Sequence, residues 1–309
     1  PSVVSSGDSF VVFSDYRVDY FEQDGGSGIL IPILSEVTVD RIVDIAIATD
    51  SAERHHLAVL FGQKLKLINT HDGTVQSLLL EANSSVVASS GPLIAISEKS
   101  EFGPLVNITS IDSDLVISIQ LDPSSSDRTD QSIANSGVDL DFHNSSVVEL
   151  VMDSNWLVAT VDVGPFNRTI LVDTLSINQT HISNPRWDSS SPSVGSGRVA
   201  FLQVTRDNPS VSNQGEERNN DVYVHDLETG TTVQITFDEE VDQSQPQILN
   251  ERIAWIQEND ADSKEVVLHS FTDTIEPRNS LLLQASILAL MPLIFLWALQ
   301  TYGADPRLT

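Results

Sequence analysis

The chain has 309 residues, with 16 Lys+Arg against 44 Asp+Glu, a net charge of −28 and no cysteine. So negative a surface repels phosphate and holds too few cations to release its counterions, which sets nucleic acid aside as a partner. Without cysteine there is no disulfide framework, thiol nucleophile or cysteine metal site, and 40% hydrophobic residues suit a sizeable core rather than a disordered acidic chain.

In chain order, the first element is PSVVSSGDSFVVF (Pro1 to Phe13), a strand, a polar turn and a second strand ending in an aromatic. A hairpin signature follows at Lys64 to Leu78, KLKLINTHDGTVQSL, where alternation breaks at Asp72-Gly73 and resumes. SGPLIAISE (Ser90 to Glu98) and DSNWLVATV (Asp153 to Val161) are degenerate copies of the first element. LVNITSIDSDLVISI (Leu105 to Ile119) and TILVDTLSINQTHIS (Thr169 to Ser183) are copies of the hairpin. The clearest pair is PSVGSGRVAFLQV (Pro192 to Val204) with DVYVHDLETGTTVQIT (Asp221 to Thr236), which turns at Thr229-Gly230. PQILNERIAWIQE (Pro246 to Glu258) and EVVLHSFTDTI (Glu265 to Ile275) close the series. Two polar inserts interrupt it, Asp122 to Gly137 and Arg206 to Asn220, both too long for simple turns.

No 3.6-residue periodicity precedes residue 281, and the units recur at about 40 to 60 residues, the range of propeller blades. The expected fold is therefore all-β: a β-propeller of about six four-stranded blades near 1–40, 41–82, 83–123, 145–186, 187–238 and 239–275. A short linker, 276–280, leads to Leu281–Leu299, LLLQASILALMPLIFLWAL, and no charge occurs between Arg278 and Asp305. As a helix this stretch reaches roughly 28 Å, close to a bilayer core, with Pro292 predicting a kink and Trp297 at an interfacial position. It reads as a transmembrane anchor followed by a short cytoplasmic tail, 300–309.

The run SPSVGSGRVAF, then DVYVHDLETGTTVQIT, then QSQPQILNERIAW resembles the TolB-like, WD-related propeller repeat. In that repeat a proline-led turn precedes an R-I-A-aromatic strand, and a Y-D-L-x-T-G hairpin closes the blade. The resemblance covers Pro185 to Phe271 well and is faint elsewhere. Ser196-Gly197 and Asn250-Glu251 stand where the family has Asp-Gly, so loop details do not transfer. It implies a propeller that binds or scaffolds, and function must come from a site.

Chemistry is sparse. The chain lacks a Gly-x-Ser-x-Gly elbow, a phosphate-cradling loop ending in Lys-Ser/Thr, and His-Glu-x-x-His, so no catalytic residue and no cofactor are assigned. His55 and His56 are adjacent and would point to opposite faces of a strand; they are read as a loop before the strand at Leu57. Asp139, Asp141 and the cluster Asp238, Glu239, Glu240, Asp242 offer hard oxygens that suit calcium, but a chain with 44 acids produces such clusters as solvated surface. Phe13, Phe201 and Trp255 are read as equivalent inter-blade core positions, and Trp187 as an exposed contact outside that register.

Five Asn-x-Ser/Thr sequons, at Asn83, Asn107, Asn144, Asn167 and Asn178, are candidate glycosylation sites that favour an outside location. The chain begins at Pro1 without a targeting stretch, which argues nothing against export. Asp outnumbers Glu 28 to 16 and Arg outnumbers Lys 12 to 4, a halophile-like bias, since at molar salt a Debye length of roughly 3 Å mutes carboxylate repulsion. The expectation is a single-pass membrane protein with its large domain outside. It acts as an interaction or cell-surface scaffold module, or as the outer subunit of a membrane complex, with other proteins as partners. The alternative is a hydrolase or lyase acting on an extracellular glycan or peptide at the central channel.

Overall fold

In a computed structural model of the chain, the described residues are 2–6, 9–23, 30–38, 40–80, 84–114, 116–123, 144–164, 166–184, 187–204, 219–237, 241–260 and 263–271. Two compact units divide it, Pro1–His269 and Ser270–Thr309. The predicted anchor, with Leu281, Pro292, Trp297 and Leu299, lies outside the described residues; among those that are described, no helix is long and apolar enough to cross a membrane.

Among the described residues, twenty-three strands form six antiparallel sheets in chain order. Sheet 1 holds β1 (Ser2–Ser6), β2 (Ser9–Ser14), β3 (Arg17–Gln23) and β4 (Leu30–Val37). Sheet 2 holds β5 (Asp44–Thr49), β6 (His55–Leu60), β7 (Lys64–Asn69) and β8 (Val75–Leu79), and sheet 3 holds β9 (Val87–Ser90), β10 (Leu93–Ser100), β11 (Gly103–Ser110) and β12 (Val116–Gln120). Sheet 4 is β13 (Ser146–Asp153), β14 (Trp156–Asp162), β15 (Asn167–Asp173) and β16 (Asn178–His181). Sheet 5 is β17 (Ser189–Gly195), β18 (Arg198–Val204), β19 (Asn220–Asp226) and β20 (Thr231–Gln234), and sheet 6 is β21 (Asp242–Leu249), β22 (Arg252–Asp260) and β23 (Ser263–Ser270). First strands of successive sheets touch: β1 meets β5, β5 meets β9, β9 meets β13, β13 meets β17, and β17 meets β21. Radially repeated sheets joined at their first strands make a six-bladed β-propeller. The expectation of four strands in every blade is corrected at sheet 6, which has three among the described residues.

Composition follows position within a blade. Second and third strands, such as β14 (WLVATVD) and β15 (NRTILVD), are buried throughout their interiors, because sheets pack on both faces and reward continuous apolar runs. Fourth strands such as β16 (NQTH) and β20 (TTVQ) are polar and largely exposed. The core is accordingly divided among the interfaces between sheets. Val11, Tyr20 and Leu57 pack between sheets 1 and 2, and Leu60, Leu65 and Ile94 between sheets 2 and 3. Val106, Leu157 and Ile170 fill the space between sheets 3 and 4. Leu171, Phe201 and Tyr223 fill that between sheets 4 and 5, where the two aromatic rings stack 5.8 Å apart.

A recurring side-chain turn joins third to fourth strands. Asn69, Asp173 and Asp226 each accept backbone N–H groups two or three residues on, the Asx turn that favours these residue types. The amide four residues on then bonds back to the same residue's carbonyl, from Gly73, Ile177 and Gly230 respectively. All three have positive φ, of 70°, 59° and 67°, so glycine fits at two of the sites and a β-branched residue is strained at the third.

Three sequence expectations are corrected. His55 and His56 open β6 rather than sitting in a loop. Their rings do diverge: His55 Nδ1 lies 3.1 Å from Thr49 Oγ1 and His56 Nε2 3.1 Å from Asp50 Oδ2. Phe13 is not equivalent to Phe201 and Trp255. Counting from the hairpin pairs Ser6–Ser9, Gly195–Arg198 and Leu249–Arg252, it is one place later, and one place in a strand reverses the face. Phe13 thus packs toward sheet 2, while Phe201 packs toward sheet 4. Trp187 is half-buried against the core between sheets 4 and 5, not an exposed contact.

Candidate functional site

The two ends of the propeller differ. At one end, the turn face, hairpins join first to second and third to fourth strands. At the other, the insert face, second strands pass to third strands and each blade passes to the next. Both polar inserts open on the insert face, one between β12 and β13 and the other between β18 and β19. The inserts themselves lie outside the described residues, but their roots do not.

The root of the first insert is held by the following blade. Asp122 N donates to Gln179 Oε1 at 3.0 Å, and Gln179 Nε2 donates to the Gln120 carbonyl at 2.8 Å. Arg168 Nη1 donates to the Pro123 carbonyl at 2.6 Å, and His181 Nε2 lies 3.0 Å from the Asp122 carbonyl. Leu121 is buried in the same place, within the core between sheets 3 and 4. The second insert re-enters the fold at an equally fixed point. Asn220 N donates to Asp242 Oδ1 at 2.9 Å, and buried Asp221 accepts Gln234 Nε2 and Thr236 Oγ1, each at 2.9 Å. Buried polar groups satisfied in this way specify one geometry.

The same staple recurs one blade earlier, where Asn167 N donates to Asp188 Oδ1 at 2.7 Å. In both cases an acid at the start of a first strand caps the first N–H of the previous blade's third strand. Asp44 plays a related part, accepting Val87 N at 2.9 Å across the interface of sheets 2 and 3. Burial pushes its carboxyl above the ordinary range, with the Val87 and Ile45 N–H groups opposing.

Facing the channel axis, the first strands of sheets 4, 5 and 6 each carry a bulge, at Val147/Glu149, Ser190/Ser193 and Ser244/Gln247. Ser191 and Gln245, each directly before a proline, have φ of 52° and 51°. Glu149 Oε2 accepts Ser191 N at 2.7 Å, so one bulge is locked to the next. Burial raises the Glu149 carboxyl above its usual range, more than the Ser191 N–H lowers it, and the Asp188 charge raises it further. Bulges re-aim side chains and gather at functional sites, and a half-buried carboxyl with a raised pKa is a candidate proton donor. Nothing in the sequence alone separated Glu149 from the other acids: the residue–Pro pairs Ser191-Pro192 and Gln245-Pro246 mark two of the three bulges, but not the one that carries it.

On the turn face, Asp50 is buried and accepts Ala52 N, Arg54 N, Arg54 Nε and His56 Nε2. Burial works to raise its carboxyl, and these four donors overcome that and hold it well below the usual range. Tyr20 OH, pushed up to about 12 chiefly by burial, is bonded to Ser9 Oγ and Glu22 Oε1. These groups spend their hydrogen bonds on one another and present no nucleophile with an adjacent base.

The remaining predicted site residues are dispersed. Asn144 and Asn178 are exposed, on opposite faces, whereas Asn107 and Asn167 are half-buried in strands. Asn107 Oδ1 accepts Ser118 Oγ at 2.6 Å. Asn83, Asp139, Asp141, Asp238, Glu239 and Glu240 lie outside the described residues, and Asp242 is engaged by Asn220. Among the described residues no group of three or more potential ligands is placed to hold a metal.

No protein-family model and no curated protein matches the chain. Solved structures do. Hydrazine synthase of Kuenenia stuttgartiensis is 11% identical, over 81% of this chain and 73% of that one, at a TM-score of 0.54. Virginiamycin B lyase of Staphylococcus aureus is 12% identical, over 86% and 78%, at 0.50. TolB of Acinetobacter baumannii also matches, 13% identical over 85% and 65%, at 0.46. Identities this low establish the propeller fold alone.

Proposed function

We propose that the chain is an interaction module that presents its insert face to other proteins, from outside a membrane to which Leu281–Leu299 anchors it. The observation that carries this reading is that both inserts leave from one face, each at a root fixed by buried or charge-assisted hydrogen bonds. Long loops on a rigid scaffold are where recognition concentrates. The acidic, Asp-rich surface supports a salty exterior and, by its charge, a partner of basic or neutral face.

A photo-crosslinking residue placed at Ser212 in the second insert is compared with one at Thr229 on the turn face. Discrete adducts with a native membrane fraction are expected from the insert site alone. Equal labelling from both faces, or labelling from Thr229 only, would reject the reading.

Glu149 and the three adjoining bulges support a second reading, a hydrolase or lyase using the channel of sheets 4 to 6 on a glycan or peptide. On that reading Glu149→Gln, which preserves the acceptor for Ser191 N, removes turnover of any such substrate without lowering the melting temperature. Turnover unaffected by the change would dismiss it.

A further inference from the structure

The interface between sheets 4 and 5 is apolar where Val158 and Leu171 meet Phe201, but one row across sheet 4 is not. Glu149, Thr160 and Thr169 stand directly opposite one another on β13, β14 and β15, and residues directly opposite share a face. β17 covers that face: Ser191 N donates to Glu149 Oε2 at 2.7 Å, and Thr169 Oγ1 lies 2.9 Å from Ser189 Oγ. Asp188, next to Ser189, accepts Asn167 N through Oδ1 and keeps Oδ2.

This row is not closed on itself. Thr160 is fully buried, and among the described residues its Oγ1 completes no hydrogen bond, although it stands close enough to Glu149 to favour the ionised carboxylate. The Asp188 charge opposes that ionisation, so two carboxylates and an orphaned hydroxyl share one polar layer. Polar side chains of the adjoining blade, by contrast, satisfy one another. Gln203 Oε1 accepts Asn184 N, Asp221 accepts Gln234 and Thr236, and Thr236 Oγ1 meets Gln243 Oε1. Buried polar groups are normally paired in this way, and an exception calls for a ligand, water or ion.

We propose that a cation of the calcium class binds between sheets 4 and 5, ligated by the Glu149 and Asp188 carboxylates and by Thr160 Oγ1. No third carboxylate or imidazole joins the two acids among the described residues, so hydroxyl, main-chain and water oxygens complete the shell. The β17 bulge at Ser190/Ser193 takes main-chain groups out of the ladder beside Glu149. Such an all-oxygen set suits a hard cation rather than zinc or copper. A divalent charge offsets both acids at once, whereas a bridging water would satisfy Thr160 and leave the acids opposed. Because its ligands come from two blades, the ion binds the folded chain alone and stabilises it by mass action.

Calorimetry and thermal melts of the full-length chain in detergent test this, with calcium chloride as the probe and about 1 M NaCl to screen diffuse binding by surface acids. A saturable site that raises the melting temperature is expected. Glu149→Gln and Asp188→Asn, each of which keeps the oxygen that accepts its backbone N–H, abolish both signals. Thr160→Val weakens binding by roughly tenfold or more, while in chelator it and Glu149→Gln melt no lower than wild type. Terbium in place of calcium luminesces on tryptophan excitation, since Trp187 adjoins Asp188 and packs in the same interface, and Trp187→Phe dims it. Asp242→Asn, at the equivalent cap on Asn220 N one blade on, leaves binding unchanged. Absence of saturable binding overturns the proposal. So does binding that Glu149→Gln or Thr160→Val leaves at wild-type strength, or that Asp242→Asn removes.

Discussion

Two carboxyl groups in this fold titrate in opposite senses, and the contrast lies in how many donors each one faces. Asp50 has four, so its native form holds the proton less tightly than the unfolded chain does. Its stabilising effect is complete above the ordinary Asp value near pH 4 and is lost as the pH falls through its depressed native value. Asp50→Asn is therefore expected to be less stable than wild type at neutral pH, the gap closing toward about pH 2 in urea melts. Glu149 has one backbone donor and a neighbouring acid, so its native form holds the proton more tightly. Stability falls as pH rises from the ordinary Glu value near pH 4 through the raised native value. Glu149→Gln should thus gain on wild type at neutral pH and lose that advantage below about pH 4. An advantage that persists unchanged into acid would show that the carboxyl is not strained by burial.

At the scale of elements, the Asx turns explain why TG and DG recur in the hairpin units. The turn needs a left-handed residue at its fifth place, and glycine supplies it at Gly73 and Gly230. Ile177 fills that place with φ of 59° while half its surface is exposed, so it contributes little burial and carries backbone strain. Ile177→Gly is expected to stabilise by about 1 kcal/mol, read as a higher urea midpoint at constant slope. The hairpins themselves were legible, because alternation broken by a turn residue is a local signal. Lys64 to Leu78, Leu105 to Ile119 and Asp221 to Thr236 each contain the two strands expected of them. The face of Phe13 was not legible, since a shared aromatic at a strand end says nothing of parity, and a single residue of offset inverts it.

For the whole molecule, the interfaces between blades bury apolar side chains and acids cap neighbouring backbones, while most of the excess charge stays at the surface. Repulsion among 44 acids against 16 cations opposes a compact state at low ionic strength. Thermal midpoints measured from about 0.05 M to about 2 M NaCl are expected to rise steadily and to level once the Debye length falls to roughly 3 Å. A flat profile would remove the case for salt adaptation.

Sequence by itself determined the six-fold repetition, the absence of thiol chemistry, the sign of the surface and the position of both inserts along the chain. These are properties of composition and short-range periodicity, which no tertiary contact can alter. Only the folded structure decided that the two inserts open on one face, that Glu149 locks adjacent bulges, and that Trp187 is packed rather than displayed. Each depends on residues tens of positions apart being brought together by strand direction, register and the ring, and no local pattern encodes those three.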